Sequence, residues 1–454
     1  MSLKGAKVSV IGLGKSGLAS CRLLKTKGAS VFASDNSEQI DREISEELKA
    51  LEIDFELGGH TGKCLKDKDF MVVSPGVPLK RFPLDEAKKR GLPIYGEIEL
   101  GFWFTSSPIV AITGTNGKTT TTSLLGEMFK GIGKKVTICG NIGLPLCQVA
   151  MEKEKSEVIV MEVSSFQLET IKDFRPRIGI LLNITPNHLD RYDGDILAYS
   201  RVKAGLFRNQ REGDVAILNR DDERVRAIPL PAGVKKIYFS LDNAHAQLIV
   251  RDGRLISYLN HREEELLASS ELQLAGQHNL ANALAACGAV ISLFPEERGW
   301  LKTLTQFRGL PHRLELVRTV NGVNFINDSK ATSVDATLKA IDSLSGNIIL
   351  IAGGRDKASP FALLKEAVSS KVKKLILIGE AREKMARALA GTTRIIMAGS
   401  LKEAVLSAFN ETNPGDNILL SPACASFDMF KSFEDRGEKF KKIVSSLHGK
   451  KNTP

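Results

Sequence analysis

The stretch Ile109-Val-Ala-Ile-Thr113-Gly114-Thr115-Asn116-Gly117-Lys118-Thr119-Thr120 joins an apolar, β-branched strand to a glycine turn and then to a helix pattern over Thr121 to Phe129. A turn of this kind wraps phosphate oxygens in backbone N–H groups. Its lysine neutralises charge developing on a phosphoryl group, and a following threonine hydroxyl can ligate Mg²⁺. The helix start adds the positive end of its dipole. The full phosphate-loop pattern has a glycine where Ile112 stands, but the core Gly117-Lys118-Thr119 is intact. A glycine turn that only started a helix would need neither the lysine nor the threonine run. Gly114, Thr115, Asn116, Gly117, Lys118, Thr119 and Thr120 are therefore expected to bind ATP, with Mg²⁺ as its companion ion.

On both sides of this stretch, short apolar runs alternate with longer helical ones, which implies parallel sheets flanked by helices. Upstream, the strand Val8 to Ile11 enters Gly12-Leu-Gly14-Lys-Ser16-Gly17 and a helix from Leu18 to Lys27; the next strand, Ser30 to Ala33, leads to Asp35. The glycines let a diphosphate approach a helix N-terminus, and Asp35 has the spacing of a ribose-binding carboxylate. A nicotinamide dinucleotide and a UDP-sugar carry the same diphosphate, so the motif leaves both open, and glycines that merely allow close packing fit as well. A further strand, Phe70 to Val73, runs into the turn at Ser74. Downstream lie strands Val158 to Val163, Ile178 to Ile184 and Val215 to Asn219. Shorter polar segments between Ile237 and Leu267 suggest small antiparallel strands, and the helix Leu280 to Leu293 follows. Gly309-Leu310-Pro311 looks like a linker. Beyond it are strands Val323 to Asn327, Asn347 to Ala352, Lys374 to Ile378, Thr393 to Met397 and Asn417 to Ser421. The expected architecture is α/β in three domains: Rossmann-like over 1–96, a central P-loop ATPase-type domain over 97–309, and a second Rossmann-like domain over 310–454.

Composition narrows the function classes. With 454 residues, 43% hydrophobic and 26% charged, the chain is long enough for several cores. Its net charge of +10 is not gathered into a basic block with interleaved aromatics. The basic residues are spread through apparent helices such as Phe361 to Lys373, so a solvated basic surface is expected rather than nucleic-acid binding. Six cysteines without a C-x-x-C pair sit mostly in apolar stretches, as in a reducing compartment. No apolar run reaches the ~20 residues of a membrane span, and Gly12 and Gly14 interrupt the only apolar run near the start. A cytoplasmic chain without membrane insertion, acting as a monomer, is expected.

Several polar residues cluster at strand ends. Glu162 follows Val158-Ile-Val-Met161 with Ser164 just beyond, and His188 follows the strand that ends near Ile184. Carboxyl edges of open α/β sheets bind ligands. Glu162 suits Mg²⁺, whereas an imidazole is an unusual Mg²⁺ ligand, so His188 alone fits a structural hydrogen bond equally well. Lys203, on a helix from Ala198 to Phe207, reads as a solvated lysine. In the last third, Asn327-Asp328-Ser329-Lys330-Ala331-Thr332, Gly353-Gly354-Arg355-Asp356-Lys357 and Ser421-Pro-Ala-Cys-Ala-Ser426-Phe427-Asp428 each follow a strand. Three such turns on one sheet edge point to a shared site.

Taken together, Thr113-Gly-Thr-Asn-Gly-Lys-Thr119, Glu162-Val-Ser-Ser-Phe-Gln-Leu-Glu169, Asn183-Ile-Thr-Pro-Asn-His188-Leu-Asp-Arg-Tyr192, His278-Asn279-Leu-Ala-Asn282 and Pro311-His-Arg313 resemble the ATP-dependent Mur ligases. The Asn327 and Ser421 motifs, with Phe433-Glu-Asp-Arg436-Gly437, look like the D-glutamate-adding members. The resemblance spans the chain from its first strand to near its end. It implies that ATP phosphorylates the alanyl carboxylate of UDP-N-acetylmuramoyl-L-alanine, and that the D-glutamate amine attacks the acyl phosphate. A tetrahedral intermediate then collapses to amide and phosphate, in peptidoglycan precursor synthesis.

By match, Lys118, His188, Lys203 and Lys330 are implied to be catalytic. Thr119, Glu162, His188 and a carbamylated Lys203 are implied at the metal site. Asn279, Asn282, Arg313 and Asp328 would meet ATP; Ser16, Asp35, Asn36, Ser74, Asn141 and Ser164 the UDP-substrate; and Thr332, Lys357, Ser426 and Phe433 D-glutamate. Arg355 stands where some members have an acidic residue. The ATP machinery is shared across the family, so a member adding another amino acid is the nearest alternative. A nicotinamide-dependent oxidoreductase built on Gly12 is a more distant one, and it leaves Lys118 and Lys330 unused.

Overall fold

Aliphatic runs such as Lys7–Ile11, Ile109–Thr113 and Ile348–Gly353 are buried almost throughout, which suits strands covered by helices on both faces. The computed structural model describes residues 2–186, 189–242, 245–259, 262–274, 276–309, 311–344, 347–356 and 359–447. His188, Leu310 and Lys357 lie outside these residues. The chain divides into two compact units, Met1–Phe307 and Arg308–Pro454.

Among the described residues the first unit holds two sheets. One has five parallel strands in the order Asp54–Glu56, Ser30–Ser34, Lys7–Ile11, Phe70–Val73, Ile94–Gly96. The helix Lys15–Thr26 packs Leu18, Leu23 and Leu24 into its core, each such side chain contributing ~1.5–3 kcal/mol. The other sheet has nine strands. From Ile109–Thr113 the chain first builds one side, Val136–Gly140 and Val158–Glu162. It then crosses to the other side with Ile178–Leu181, Val215–Asn219 and Lys235–Ser240. The order therefore reverses at Ile109–Thr113, the place where such sheets open a ligand crevice. Leu248–Arg251, Arg254–Ser257 and Glu264–Ala268 extend this sheet, with antiparallel pairing between successive members. Among the described residues the second unit has a six-stranded sheet, with Val323–Asn327, Asn417–Leu420 and Ile348–Gly353 adjacent at its centre.

Two local expectations change. The helix after the phosphate-type turn starts at Lys118, not Thr121, and runs to Gly131. Gly117, at φ +82°, turns the chain straight into it. Burial of Thr119, Thr121 and Thr122 overrides the low helix propensity of threonine. The helix expected over Phe361 to Lys373 ends at Lys371, because Val372–Ile378 is strand. The strand expected from Lys374 to Ile378 therefore begins two residues earlier, and its lysines are paired there, Lys373 with Asp416 at 3.0 Å and Lys374 with Glu411. Among the described residues no helix is long and apolar enough to cross a membrane, and all six cysteines are free and buried.

Candidate active site

Three parallel strands aim their carboxyl ends at one place in the nine-stranded sheet. Ile109–Thr113 delivers the Gly114 turn, with Val158–Glu162 on one side and Ile178–Leu181 on the other. Asn183 clamps the turn, its Oδ1 accepting from the Asn116 amide at 2.8 Å and its Nδ2 donating to the Asn116 carbonyl at 3.2 Å. The Thr115 amide donates to the Asn183 carbonyl at 2.9 Å. Gly117 tolerates no side chain, since a Cβ there would lie 2.4 Å from Asn282 Oδ1. Asn282 is thereby placed against the turn, and it donates to Asn279 at 3.3 Å.

The charges around this turn are unusual. Lys118 Nζ donates to the carbonyls of Gly114 and Thr115, both at 2.9 Å. Lys203 is only 1% exposed, and its Nζ donates to the same Gly114 oxygen at 2.9 Å. Burial, and then the neighbouring Lys118 cation, hold the Lys203 amine well below the usual lysine range, with Glu162 opposing the shift. Its expected role as a solvated lysine is therefore overturned: Lys203 is a buried amine driven toward its neutral form. Glu162 is buried as well, and Asn141 Nδ2 donates to its Oε1 at 2.7 Å. Its Oε2 is buried and, among the described residues, has no hydrogen-bond partner. A buried carboxylate oxygen left unsatisfied beside a phosphate-type turn fits a hard cation such as Mg²⁺. Thr119, buried at the helix start, carries a hydroxyl of the kind that can serve such an ion. Ser164 acts locally, accepting from the Gln167 amide at 3.3 Å as the cap of a short helix.

In the five-stranded sheet, Gly12, Asp35 and Ser74 meet. Ser74 Oγ donates to the Gly12 carbonyl at 2.8 Å, and Asp35 Oδ2 accepts from the Leu13 amide at 2.6 Å. A Cβ at Gly17 would stand 1.9 Å from the Gly12 oxygen, so only glycine permits this helix approach. Ser16 lies at the helix start, and Asn36 is exposed beside Asp35.

In the second unit the three polar turns do share an edge. Ser421 Oγ donates to Asp328 Oδ2 at 2.8 Å, and the Ala423 amide to the Ala331 carbonyl at 3.0 Å. The Arg355 amide donates to the Ala425 carbonyl at 2.9 Å. Burial pushes the Asp328 carboxyl up to about 7, against the pull of Ser421, the Leu314 amide and Arg313. Lys330 Nζ stands 6.0 Å over the Phe433 ring, and Ser426 is buried nearby in the chain turn that follows Leu420. Thr332 is half-buried beyond Lys330.

Sequence reasoning missed three residues. Asn183 was visible only as part of a quoted motif. Tyr199, whose ring lies 4.7 Å from Lys203 Nζ, had the helical i, i+4 spacing as its signal. Arg436, also visible only as part of a quoted motif, is fully buried and binds Ser329 and the Cys424 carbonyl.

Comparison with known proteins gives the family. Family models match residues 6–96 (Mur ligase MurD-like, N-terminal domain), 112–290 (Mur ligase middle domain) and 312–424 (Mur ligase, glutamate ligase domain). A protein of Pelotomaculum thermopropionicum named UDP-N-acetylmuramoylalanine--D-glutamate ligase is 48% identical, covering 97% of this chain and 98% of its own length. The chain belongs to the Mur ligase family. A Salinibacter ruber protein of the same name is 41% identical over 98% of this chain and 99% of its own. The Mur ligase fold itself recurs in the MurF ligase of Thermotoga maritima, solved in complex with ADP. That structure aligns with TM-score 0.56 at 16% identity, over 98% of this chain and 96% of that one. MurC of the same organism aligns with TM-score 0.54 at 18% identity, over 97% and 99%. The Mur ligase middle-domain match contains the Gly114 turn, Glu162 and Lys203.

Proposed function

We propose that this chain is the cytoplasmic ligase that uses ATP to join D-glutamate to UDP-N-acetylmuramoyl-L-alanine, giving ADP and phosphate in peptidoglycan precursor synthesis. The observation that carries the proposal is the Gly114 turn, where Lys118, a buried amine at Lys203 and the unsatisfied Glu162 oxygen converge. The names of the near-full-length relatives support the choice of substrates.

Lys118 releases its own loop carbonyls to meet phosphate oxygens, and the turn's amides hold the polyphosphate. Thr119, Glu162, His188 and, once carbamylated, Lys203 would hold Mg²⁺, which supplies charge neutralisation on the phosphates when bound. Conversion of the buried Lys203 amine to a carbamate turns a nitrogen donor into an oxygen ligand. Asn279, Asn282, Arg313 and Asp328 bind the nucleotide of ATP. Ser16, Asp35, Asn36 and Ser74 bind the UDP part, with Asn141 and Ser164 toward the muramoyl-alanine. Thr332, Lys357, Ser426 and Phe433 hold D-glutamate. The alanyl carboxylate oxygen attacks the γ-phosphorus and ADP leaves. Lys330 stabilises the transferring phosphoryl group. The D-glutamate nitrogen then bonds to the acyl carbon, and the tetrahedral intermediate expels phosphate as the amine loses its proton.

The test is phosphate release by the purified chain with each component omitted in turn. Release should need ATP, Mg²⁺, the UDP-muramoyl-alanine and D-glutamate together. Equal release with L-glutamate or another amino acid would overturn the assignment.

A further inference from the structure

We propose that Glu56, His60 and Cys64, in the Met1–Phe307 unit, form a binding site for a divalent ion of the zinc class, distinct from the phosphate centre. One nitrogen, one sulfur and one carboxylate oxygen from these residues all lie within 4.8 Å of one another. Cys64 Sγ donates to Glu56 Oε1 at 3.2 Å. Ser34 Oγ touches the same oxygen at 2.9 Å and His60 Nδ1 at 2.7 Å. Bond lengths of ~2.0–2.3 Å to zinc set tetrahedral ligand–ligand edges of about 3.5 Å, so the cluster is near the required size before any ion arrives.

The local chain explains the convergence. The three ligands are spaced four residues apart, so closing the chelate costs little loop entropy. Gly58 at φ +77° and Gly59 at φ +144° reverse the backbone and return His60 to the strand that carries Ser34. The second layer is already in place. Thr61 donates from its amide to Glu56 Oε1 at 2.8 Å and from Oγ1 to Oε2 at 2.7 Å, and Ser9 Oγ donates to the Cys64 carbonyl at 2.8 Å. Such contacts orient ligands and are worth roughly 10–100-fold in metal affinity.

Sulfur and imidazole together select zinc-like ions over Mg²⁺, which demands oxygen. The ion displaces the Cys64 thiol proton to solvent as the metal–sulfur bond forms. The cluster is backed onto the Asp35 turn, because the Asp35 amide donates to the Glu56 carbonyl at 3.1 Å and the Gly59 amide to the Asp35 carbonyl at 3.3 Å. The ion therefore clips the Glu56–Cys64 segment to that turn.

The probe is Co²⁺ alone, titrated into the full-length chain after chelator treatment in thiol-free buffer. One equivalent should produce a near-ultraviolet thiolate-to-cobalt band with tetrahedral visible bands, removed by Zn²⁺ and untouched by excess Mg²⁺. Cys64→Ser should abolish the thiolate band, and His60→Gln should weaken Co²⁺ binding by at least about tenfold. Metal-free unfolding temperatures establish that each variant is folded; if Cys64→Ser is not, His60→Gln and Glu56→Gln decide the matter. Absence of a thiolate band in the unmodified chain, its persistence in Cys64→Ser, or unchanged affinity in His60→Gln would overturn the proposal.

Discussion

Replacing Arg436 by methionine should loosen two functional turns of the second unit at once. The guanidinium is fully buried and reaches Ser329 Oγ and the Ser329 carbonyl, each at 2.9 Å, and the Cys424 carbonyl at 3.2 Å. Ser329 adjoins Asp328 and Lys330, while Cys424 lies two residues before Ser426, so one side chain fastens the turn expected at ATP to the turn expected at D-glutamate. Each charged hydrogen bond lost costs about 1.5–3 kcal/mol. Relief from burying a cation, whose pKa burial lowers to about 10, offsets part of that cost. The methionine stem fills the aliphatic path, so the net loss is about 3 kcal/mol, roughly a hundredfold in the opening equilibrium of these turns. Lysine should fare no better, because one ammonium cannot reproduce the planar fork. Both tryptophans, Trp103 and Trp300, lie in the first unit, so intrinsic fluorescence would miss the change. Hydrogen exchange on peptides covering Ser329 and Cys424 reads it directly, together with the KM for D-glutamate, which should rise. Protection within about 0.5 kcal/mol of the unmodified chain would refute the reasoning.

Two other outcomes follow from titratable groups. Burial raises the Asp328 carboxyl to about 7, so its charged form is the disfavoured one in the folded chain. Its contribution to stability is full below the ordinary carboxylate pKa and lost as pH rises through about 7. The carboxylate form of Asp328, proposed to bind ATP, is gained over the same range, so kcat/KM for ATP should climb about tenfold between pH 6 and 8. Asp328→Asn should flatten that profile; an unchanged profile would count against the assignment. At Lys203, where burial and Lys118 lower the amine's pKa, carbon dioxide should add to the nitrogen: ¹³C-labelled bicarbonate should give a carbamate resonance in the native chain and none in Lys203→Ala. A native spectrum without that resonance would remove Lys203 from the proposed metal ligands.

The parts of the fold that were readable are those whose signal is contiguous. Gly117-Lys118-Thr119 and Gly12-x-Gly14-x-x-Gly17 each place strand, turn and helix start within a few residues, and the turns after Asn327, Gly353 and Leu420 follow obvious apolar runs. The strand Glu315–Val320 was not read. It lies antiparallel at a sheet edge with mostly exposed side chains, so it lacks an apolar run. Lys203 was misread for a related reason: its helix is polar enough to look solvated, and only packing against Tyr199 and the Gly114 carbonyl buries it. Arg436 lies 107 residues from Ser329 in the chain, and no periodicity reports a contact of that separation.

The central claim is that the Gly114 turn activates a carboxylate as an acyl phosphate for attack by D-glutamate. It is tested most directly with UDP-N-acetylmuramoyl-L-alanine carrying ¹⁸O in both oxygens of its alanyl carboxylate. If the account is right, one labelled oxygen leaves in the inorganic phosphate and the other stays in the new amide, with the product heavier by one glutamyl residue. Unlabelled phosphate, or labelled phosphate formed at the same rate without D-glutamate and without amide product, would contradict it.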